Sequence, residues 1–420
     1  MLSTRAQWAA GQPIGELMAQ ALQYPELVSL AAGFVDNATL PCAEVVACFE
    51  QLSADASRLR ASLQYDTTAG SRSFREVLAQ WAYHPWPQAR PAVEQLIATA
   101  GSNQLLHLIT EALIDPGDIV VAAAPTYFVF MGTLKGAGAR VFGVSSDEDG
   151  MQIEALKETL EQLDGQGLAK RVKAIYLVPD YDNPAGSTLS MQRRQELLEL
   201  VERWNREKGA LVVLWDNAYQ LLRYDGEELP PLSAIEPSCR RFVVELGTFS
   251  KSFAPGIRVG WGVVPSWLLA PVLEIKANID FGSAHFNQVL MEIALRDGLV
   301  DAHLPAIVAT YRSKRDTMLT ALEESMGDLP GVQWRHPRGG LYVWLTLPNA
   351  VDAAESGLLW RIATKLGVLY VPGVYCFPTE GYPPQRNSIR LSFGVQSHEG
   401  IRRGVQMLSQ AIRQTLTATV

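Results

Sequence analysis

From about residue 95 to 265 the chain alternates short apolar runs with longer stretches of helical spacing. LIATAG (96–101), DIVVAAA (118–124), RVFGV (140–144), VKAIYLVP (172–179), ALVVLWD (210–216), RFVVELG (241–247) and RVGWGVV (258–264) are short and rich in β-branched residues. Such runs read as strands buried on both faces. Between them, NQLLHLITEALI sets Leu105, Leu106, Ile109 and Leu113 on one helical face. MQRRQELLELVERW does the same with Leu197, Leu200, Val201 and Trp204. Further helices are predicted from Thr126 and over 151–163. DPGD (115–118) is a turn, because Pro116 presets its own φ and Gly117 tolerates positive φ.

Strands alternating with helices predict an α/β fold: a mostly parallel sheet with helices on both faces. After about residue 300 the pattern changes. A long helix is followed by VQWRHPRGGLYVWLTLP, which reads as a hairpin around Gly339-Gly340. Then come another helix, a strand at SIRLSF, and a C-terminal amphipathic helix carrying Ile401, Val405, Leu408 and Ile412. The expected organisation is an N-terminal segment (1–45) packing with the small domain, a large domain (46–300), and a smaller α+β domain (301–420).

Composition narrows the function. The 420 residues are 48% hydrophobic and 19% charged, which suits a folded protein with a large core. Net charge is −8 and no Lys/Arg-rich run occurs, so neither nucleic acid nor an anionic membrane is expected as the main partner. Cys42, Cys48, Cys239 and Cys376 form no C-x-x-C pair, which argues against structural zinc; no metal is expected. The first twenty residues lack the apolar core of a secretory signal, and no apolar run approaches the ~20 residues needed to span a bilayer. A cytoplasmic protein is the expectation.

In a parallel sheet the C-terminal ends of the strands share one edge, where ligands bind. Four such ends carry polar clusters: Ser102-Asn103-Gln104 after Gly101, Asp180 to Gly186, Asp216 to Tyr219, and Thr248, Ser250 and Lys251. Each has an ordinary alternative. Ser102 can be an N-cap. Asn183-Pro184 can be a turn, Asp216 a cap or ion pair, and Tyr219 a core tyrosine. Lys251 can snorkel to the surface. Convergence of four clusters on one edge favours a site.

The residues also carry a family resemblance over nearly the whole chain. LAAGFVDNATLP (30–41), LQYDTTAGSRSFREVLAQW (63–81), ATAGSNQLLHLITEALIDPGD (98–118), VPDYDNPAGSTLS (178–190), WDNAYQLLRYDG (215–226), GTFSKSFAPGIRVGW (247–261), HPRGGLYVW (336–344), VPGVYCF (371–377) and NSIRLSFG (387–394) occur in the family's order. The chain resembles a fold-type I pyridoxal-phosphate (PLP) aminotransferase of class I/II. The branch is the one holding 2-aminoadipate and kynurenine aminotransferases and the catalytic-like part of MocR regulators.

The resemblance implies a seven-stranded large-domain sheet and PLP as cofactor. Lys251 would form the aldimine with the cofactor aldehyde, and Asp216 would pair with the ring nitrogen. Tyr219 and Asn183 would serve the ring 3-oxygen, and Tyr127 would lie against the ring. Backbone groups of Ser102 and Asn103, with Thr248, Ser250 and Arg258, would hold the phosphate, and Gln104 would be a further cofactor contact. Tyr65 would reach the phosphate of a neighbouring subunit, implying a homodimer. Arg390, with Asn183, would bind the substrate carboxylate, and Gly33 would let the N-terminal segment pass close to it. The implied reaction moves an amino group from an α-amino acid to a 2-oxo acid, with 2-oxoglutarate as a plausible acceptor. The alternatives are another PLP reaction, such as β-elimination or cyclisation, and a non-catalytic regulator. The last is disfavoured because the resembling segment begins by residue 30, leaving no room ahead for a DNA-binding domain. Trp215, Ala218 and the NPAG tetrapeptide depart from the family pattern, and QPIGELMAQAL (12–22), a region that often sets side-chain specificity, matches no known pattern.

Overall fold

The computed structural model of the protein describes residues 1–11 and 27–419. The QPIGELMAQAL stretch lies outside them. The predicted strands form as β1 (Leu96–Thr99), β2 (Ile119–Ala124), β3 (Arg140–Asp147), β4 (Val172–Leu177), β5 (Val212–Asp216), β6 (Val243–Thr248) and β7 (Gly260–Val263). Their spatial order is β3-β2-β4-β5-β6-β7-β1. β7 runs antiparallel to both its neighbours, and the other contacts are parallel.

Two short strands extend the expected seven. Gly150–Met151 pairs back on β3. Glu380–Gly381 lies parallel to β3 at the open edge, although it comes from the C-terminal part of the chain. An uncovered edge offers unpaired backbone groups. Here that segment pairs with them, and an ion pair between Arg140 and Glu380 at 2.6 Å pins it.

Period-two alternation divides the sheet's side chains between two cores. Val212 and Leu214 belong to one, with Ala174 and Tyr176, whereas Val213 and Trp215 belong to the other. Asp216 therefore points to the first face and Trp215 to the second. Trp215 is fully buried there beneath the Arg194 guanidinium, 5.1 Å from its ring, and Arg194 pairs with Asp180 at 2.5 Å. The departure from the family pattern at Trp215 thus sits behind the sheet, away from the Asp216 face.

A second sheet, all antiparallel, is built from Gln333–Trp334, Tyr342–Thr346, Ser388–Ser392 and Val371–Pro372. The predicted hairpin exists, but its connection is no tight turn. Gly339 bridges to Arg223, and the Gly340 N–H bonds the Leu222 carbonyl at 2.9 Å, so this connection leans on the loop that follows β5. The N-terminal segment divides. Val28–Ser29 pairs in parallel with Val368–Leu369, while the helix Thr4–Trp8 lies on the helix Phe128–Gly136, with Arg5 bound to Glu111 at 2.8 Å. The C-terminal helix His398–Thr419 buries Ile401, Val405, Leu408 and Ile412 completely. No described helix is long and apolar enough to cross a membrane.

Candidate active site

Because β4, β5 and β6 are parallel and adjacent, their C-terminal ends deliver residues to one place. A cavity of about 170 Å³ is lined there by Ser102, Asn103, Tyr127, Asn183, Asp216, Tyr219, Thr248, Ser250, Lys251 and Arg258. A larger hollow of about 600 Å³, between Trp81, His84 and Gln220, contains none of the predicted residues.

One end of the cavity is built to hold an anion. The helix Ser102–Leu113 starts at Gly101, which has φ +84° and no capping side chain. A Cβ at Gly101 would run into the Arg258 guanidinium. Ser102 is therefore the first helical residue and not the cap, and its end of the helix stays open to the cavity. Arg258 donates to Ser250 Oγ at 3.2 Å and to the Ala100 carbonyl at 3.1 Å. Thr248 Oγ1 donates to Ser250 Oγ at 2.9 Å. Gln104 differs from expectation: its side chain turns back to accept from the Ala100 N–H at 2.8 Å and to donate to Asp280 at 2.7 Å.

The other end carries two groups with shifted pKa values, Asp216 and Lys251. Asp216 is 3% exposed; its Oδ2 accepts from the Tyr176 hydroxyl at 3.0 Å, and its Oδ1 has no protein partner. Burial pushes its carboxyl up to about 6, against the Tyr176 hydroxyl and the Ala218 N–H, which pull it down. Lys251 Nζ donates to the Gly33 carbonyl at 3.0 Å. Lys251 as a whole residue is half-buried, and its amine lies deep in the protein. That depth, with Arg390 and Arg258 nearby, drives its pKa down, against Tyr342, which acts to raise it.

Arg390, on the strand Ser388–Ser392, reaches across from the second sheet. It donates to Asn183 Oδ1 at 2.9 Å and to the Ala31 carbonyl at 2.7 Å, while its buried Nε has no partner. Asn183 also donates to the Tyr219 hydroxyl at 3.4 Å. Asp216, with its unpaired oxygen, and the depressed Lys251 thus line one small cavity, and Arg390, with its unpaired Nε, is bonded to the Asn183 of that lining; unpaired polar groups are costly without a ligand.

A model of the family described as aminotransferase class I and II matches residues 25–408. The chain belongs to the class I and II aminotransferases. It is 35% identical to an aromatic-amino-acid aminotransferase of Thermococcus litoralis, over 99% of this chain and 94% of that one. It is 31% identical to a 2-aminoadipate transaminase of Thermus thermophilus, over 94% and 92%. A kynurenine aminotransferase of Pyrococcus horikoshii, solved in complex with PMP, superposes with a TM-score of 0.90 at 32% identity, covering 99% of this chain and 98% of that one.

The cofactor of this aminotransferase is pyridoxal phosphate, and the residues present fit it. The orphaned Asp216 Oδ1 is an acceptor for a protonated ring nitrogen. The open helix start beside Arg258 suits a phosphate. Tyr65 lies outside this cavity: it is 76% exposed and packs edge-on against Phe281, with ring centroids 5.4 Å apart. Two contributors went unread in the sequence. Tyr176 is a polar aromatic in an aliphatic strand, and Tyr342 sits inside the quoted HPRGGLYVW segment without an assigned role. Gly33 also gains a definite reason. A Cβ there would fall 2.6 Å from the Tyr342 hydroxyl.

Proposed function

We propose that this aminotransferase transfers the amino group of an α-amino acid to a 2-oxo acid, with 2-oxoglutarate among the acceptors, in a ping-pong cycle centred on Lys251. The observation that carries the proposal is the depressed Lys251 amine and the unpaired Asp216 oxygen lining one cavity, with the Arg390 guanidinium bound to Asn183 of the same lining. Bound pyridoxal phosphate supplies an aldehyde that takes up the amino group and a ring that withdraws electrons from Cα.

The chain's own residues do the rest. Lys251 Nζ takes the Cα proton of the amino acid and holds it inside the cavity. A lowered pKa keeps enough amine neutral for that task. Asp216 Oδ1 would accept from a protonated ring nitrogen, and Tyr219 and Asn183 would serve the ring oxygen. Tyr127 would lie against the ring face. Ser102, Asn103, Thr248, Ser250 and Arg258 would hold the phosphate, whereas the Gln104 side chain is committed to the Ala100 N–H and to Asp280. Arg390 holds the substrate carboxylate with its fork of N–H groups, and Asn183 braces it. The domain division at about residue 300 is part of the same proposal.

A homodimer completes the site in this proposal. Leu63, Tyr65, Ile279 and Phe281 are all at least half exposed, an apolar group that a second copy would cover. Tyr65 then reaches the partner's phosphate. Aromatic amino acids, kynurenine and 2-aminoadipate head the panel of donors, following the relatives' names. The test mixes holoenzyme with that panel and follows the cofactor's absorbance, then adds 2-oxoglutarate. Loss of the resting holoenzyme's visible band with donor and its return with acceptor is expected. Loss of the proposal would follow from no change across the panel, or from release of pyruvate and ammonia in place of the matching oxo acid.

A further inference from the structure

Tyr342 occupies a position that none of the assigned roles uses. It opens the strand Tyr342–Thr346, whose antiparallel neighbour carries Arg390 opposite Trp344. Tyr342 and Trp344 lie on the same face, so Tyr342 is the diagonal neighbour of Arg390. The Arg390 guanidinium sits 4.3 Å from the centre of the Tyr342 ring, with the Phe128 ring 5.6 Å away. Tyr342 is 2% exposed, so this cation–ring contact is largely shielded from water.

Its hydroxyl points the other way. It lies 3.3 Å from the Tyr219 hydroxyl, with the two rings edge-to-face at 5.8 Å. A Cβ at residue 33 would fall 2.6 Å from the same hydroxyl, and the carbonyl of that glycine accepts from the Lys251 amine. One side chain therefore touches the carboxylate-binding arginine, the ring-oxygen tyrosine and the backbone beneath the lysine.

Hydrogen counting gives the contact a direction. A phenol has one hydrogen to donate and two lone pairs to accept with. Asn183 already donates to Tyr219. The Gly33 carbonyl already accepts from Lys251. If Tyr342 also donates to Tyr219, both Tyr219 lone pairs are occupied and its single hydrogen is left for the cavity. We propose that Tyr342 is a positioning residue that couples Arg390 to Tyr219: its ring sets the plane of the guanidinium, and its hydroxyl turns the Tyr219 hydrogen toward the cofactor oxygen.

The proposal rests on the transaminase function for its kinetic half, but its spectroscopic half needs only bound cofactor. Two variants separate the two contacts. Tyr342→Phe keeps the ring and removes the hydroxyl. It is expected to lower kcat about three- to tenfold, the scale of one hydrogen bond, with KM for the amino acid little changed. It is also expected to move the pH midpoint of the bound cofactor's visible band by about half a unit or more. Tyr342→Leu removes the ring as well and is expected to raise KM about tenfold, the scale of a desolvated cation–ring contact. Binding of a non-reactive carboxylate, followed by the same absorbance, should weaken in Tyr342→Leu and not in Tyr342→Phe. A Phe variant with wild-type midpoint and kcat overturns the hydroxyl role. A Leu variant with wild-type carboxylate affinity overturns the ring role. A wild-type enzyme that shows the titration and binds the carboxylate, yet transaminates no donor, counts against the transaminase function and leaves these two contacts measurable.

Discussion

The Tyr176 hydroxyl donates to Asp216 Oδ2 at 3.0 Å and leaves Asp216 Oδ1 as the oxygen of the pair with no protein partner. Tyr176 thus favours the charged carboxylate, which burial opposes. Removing that donor in Tyr176→Phe raises the Asp216 pKa further, so the carboxylate becomes charged only at higher pH. The acid limb of the kcat profile should move to higher pH, with kcat at pH 7 about three- to tenfold lower. Asp216→Asn removes the charge altogether and should cost about 10- to 100-fold, the scale of a hydrogen bond to a charged group. Steady-state pH profiles of both variants check this, and an unmoved acid limb in Tyr176→Phe would count against it.

The cofactor-free protein should reveal the same carboxyl through its stability. Asp216 has a folded-state pKa of about 6, against 3.8 for an ordinary carboxyl. Between those values the folded chain keeps a proton that the unfolded chain has lost. The stabilising contribution is therefore full below about pH 4 and lost as pH rises through 6, amounting to about 3 kcal/mol. Asn does not titrate. The stability of Asp216→Asn relative to wild type should grow by about that amount from pH 4 to pH 7 in urea unfolding. A pH-independent difference would remove the assignment.

The site was legible in the sequence where chemistry and topology coincide. Asp216 and Thr248 end parallel strands, and Lys251 follows three residues later, so reading strand ends was enough to gather them. Arg390 came only through the family resemblance, because nothing in SIRLSF says that its strand crosses to this cavity. Tyr176 and Tyr342 were missed for a physical reason. Each lies within an apolar run where a buried tyrosine is ordinary, and only the meeting of hydroxyls from distant segments gives it a task. The Glu380–Gly381 edge strand was also invisible: two residues carry no periodicity, and their pairing is decided by the open edge of β3. Gln104 was assigned by its place at a helix start, but its side chain is long enough to fold back onto Ala100.

Arg390 should separate binding from turnover. Its two terminal nitrogens are tied to Asn183 and the Ala31 carbonyl, which fixes the fork, and its unpaired Nε remains as a buried donor. Lysine keeps the charge but lacks the planar fork that presents paired N–H groups and lies over the Tyr342 ring. Arg390→Lys should raise KM for the amino acid about 10- to 100-fold while leaving the cofactor's absorbance spectrum unchanged. Kinetics with a good donor, alongside the resting spectrum, check both halves. A variant with normal KM would deny Arg390 the carboxylate.

Tyr65 tests whether the site is shared between subunits. It is exposed and does not line the cavity of its own chain. Arg258, at the phosphate end, is exposed too, which opens that end of the cavity to a neighbouring molecule. Tyr65→Ala and Lys251→Ala should each be strongly impaired alone. Mixed and reassembled, about half the dimers should hold one chain of each kind. In such a dimer the chain with intact Lys251 receives an intact Tyr65 from its partner, while the other site lacks both. One working site in half the dimers restores about a quarter of the wild-type activity per site. If Tyr65 served its own chain, each site in the mixed dimer would carry one defect and activity would stay at the level of the parents. Assaying the reassembled mixture against both parents distinguishes the two arrangements.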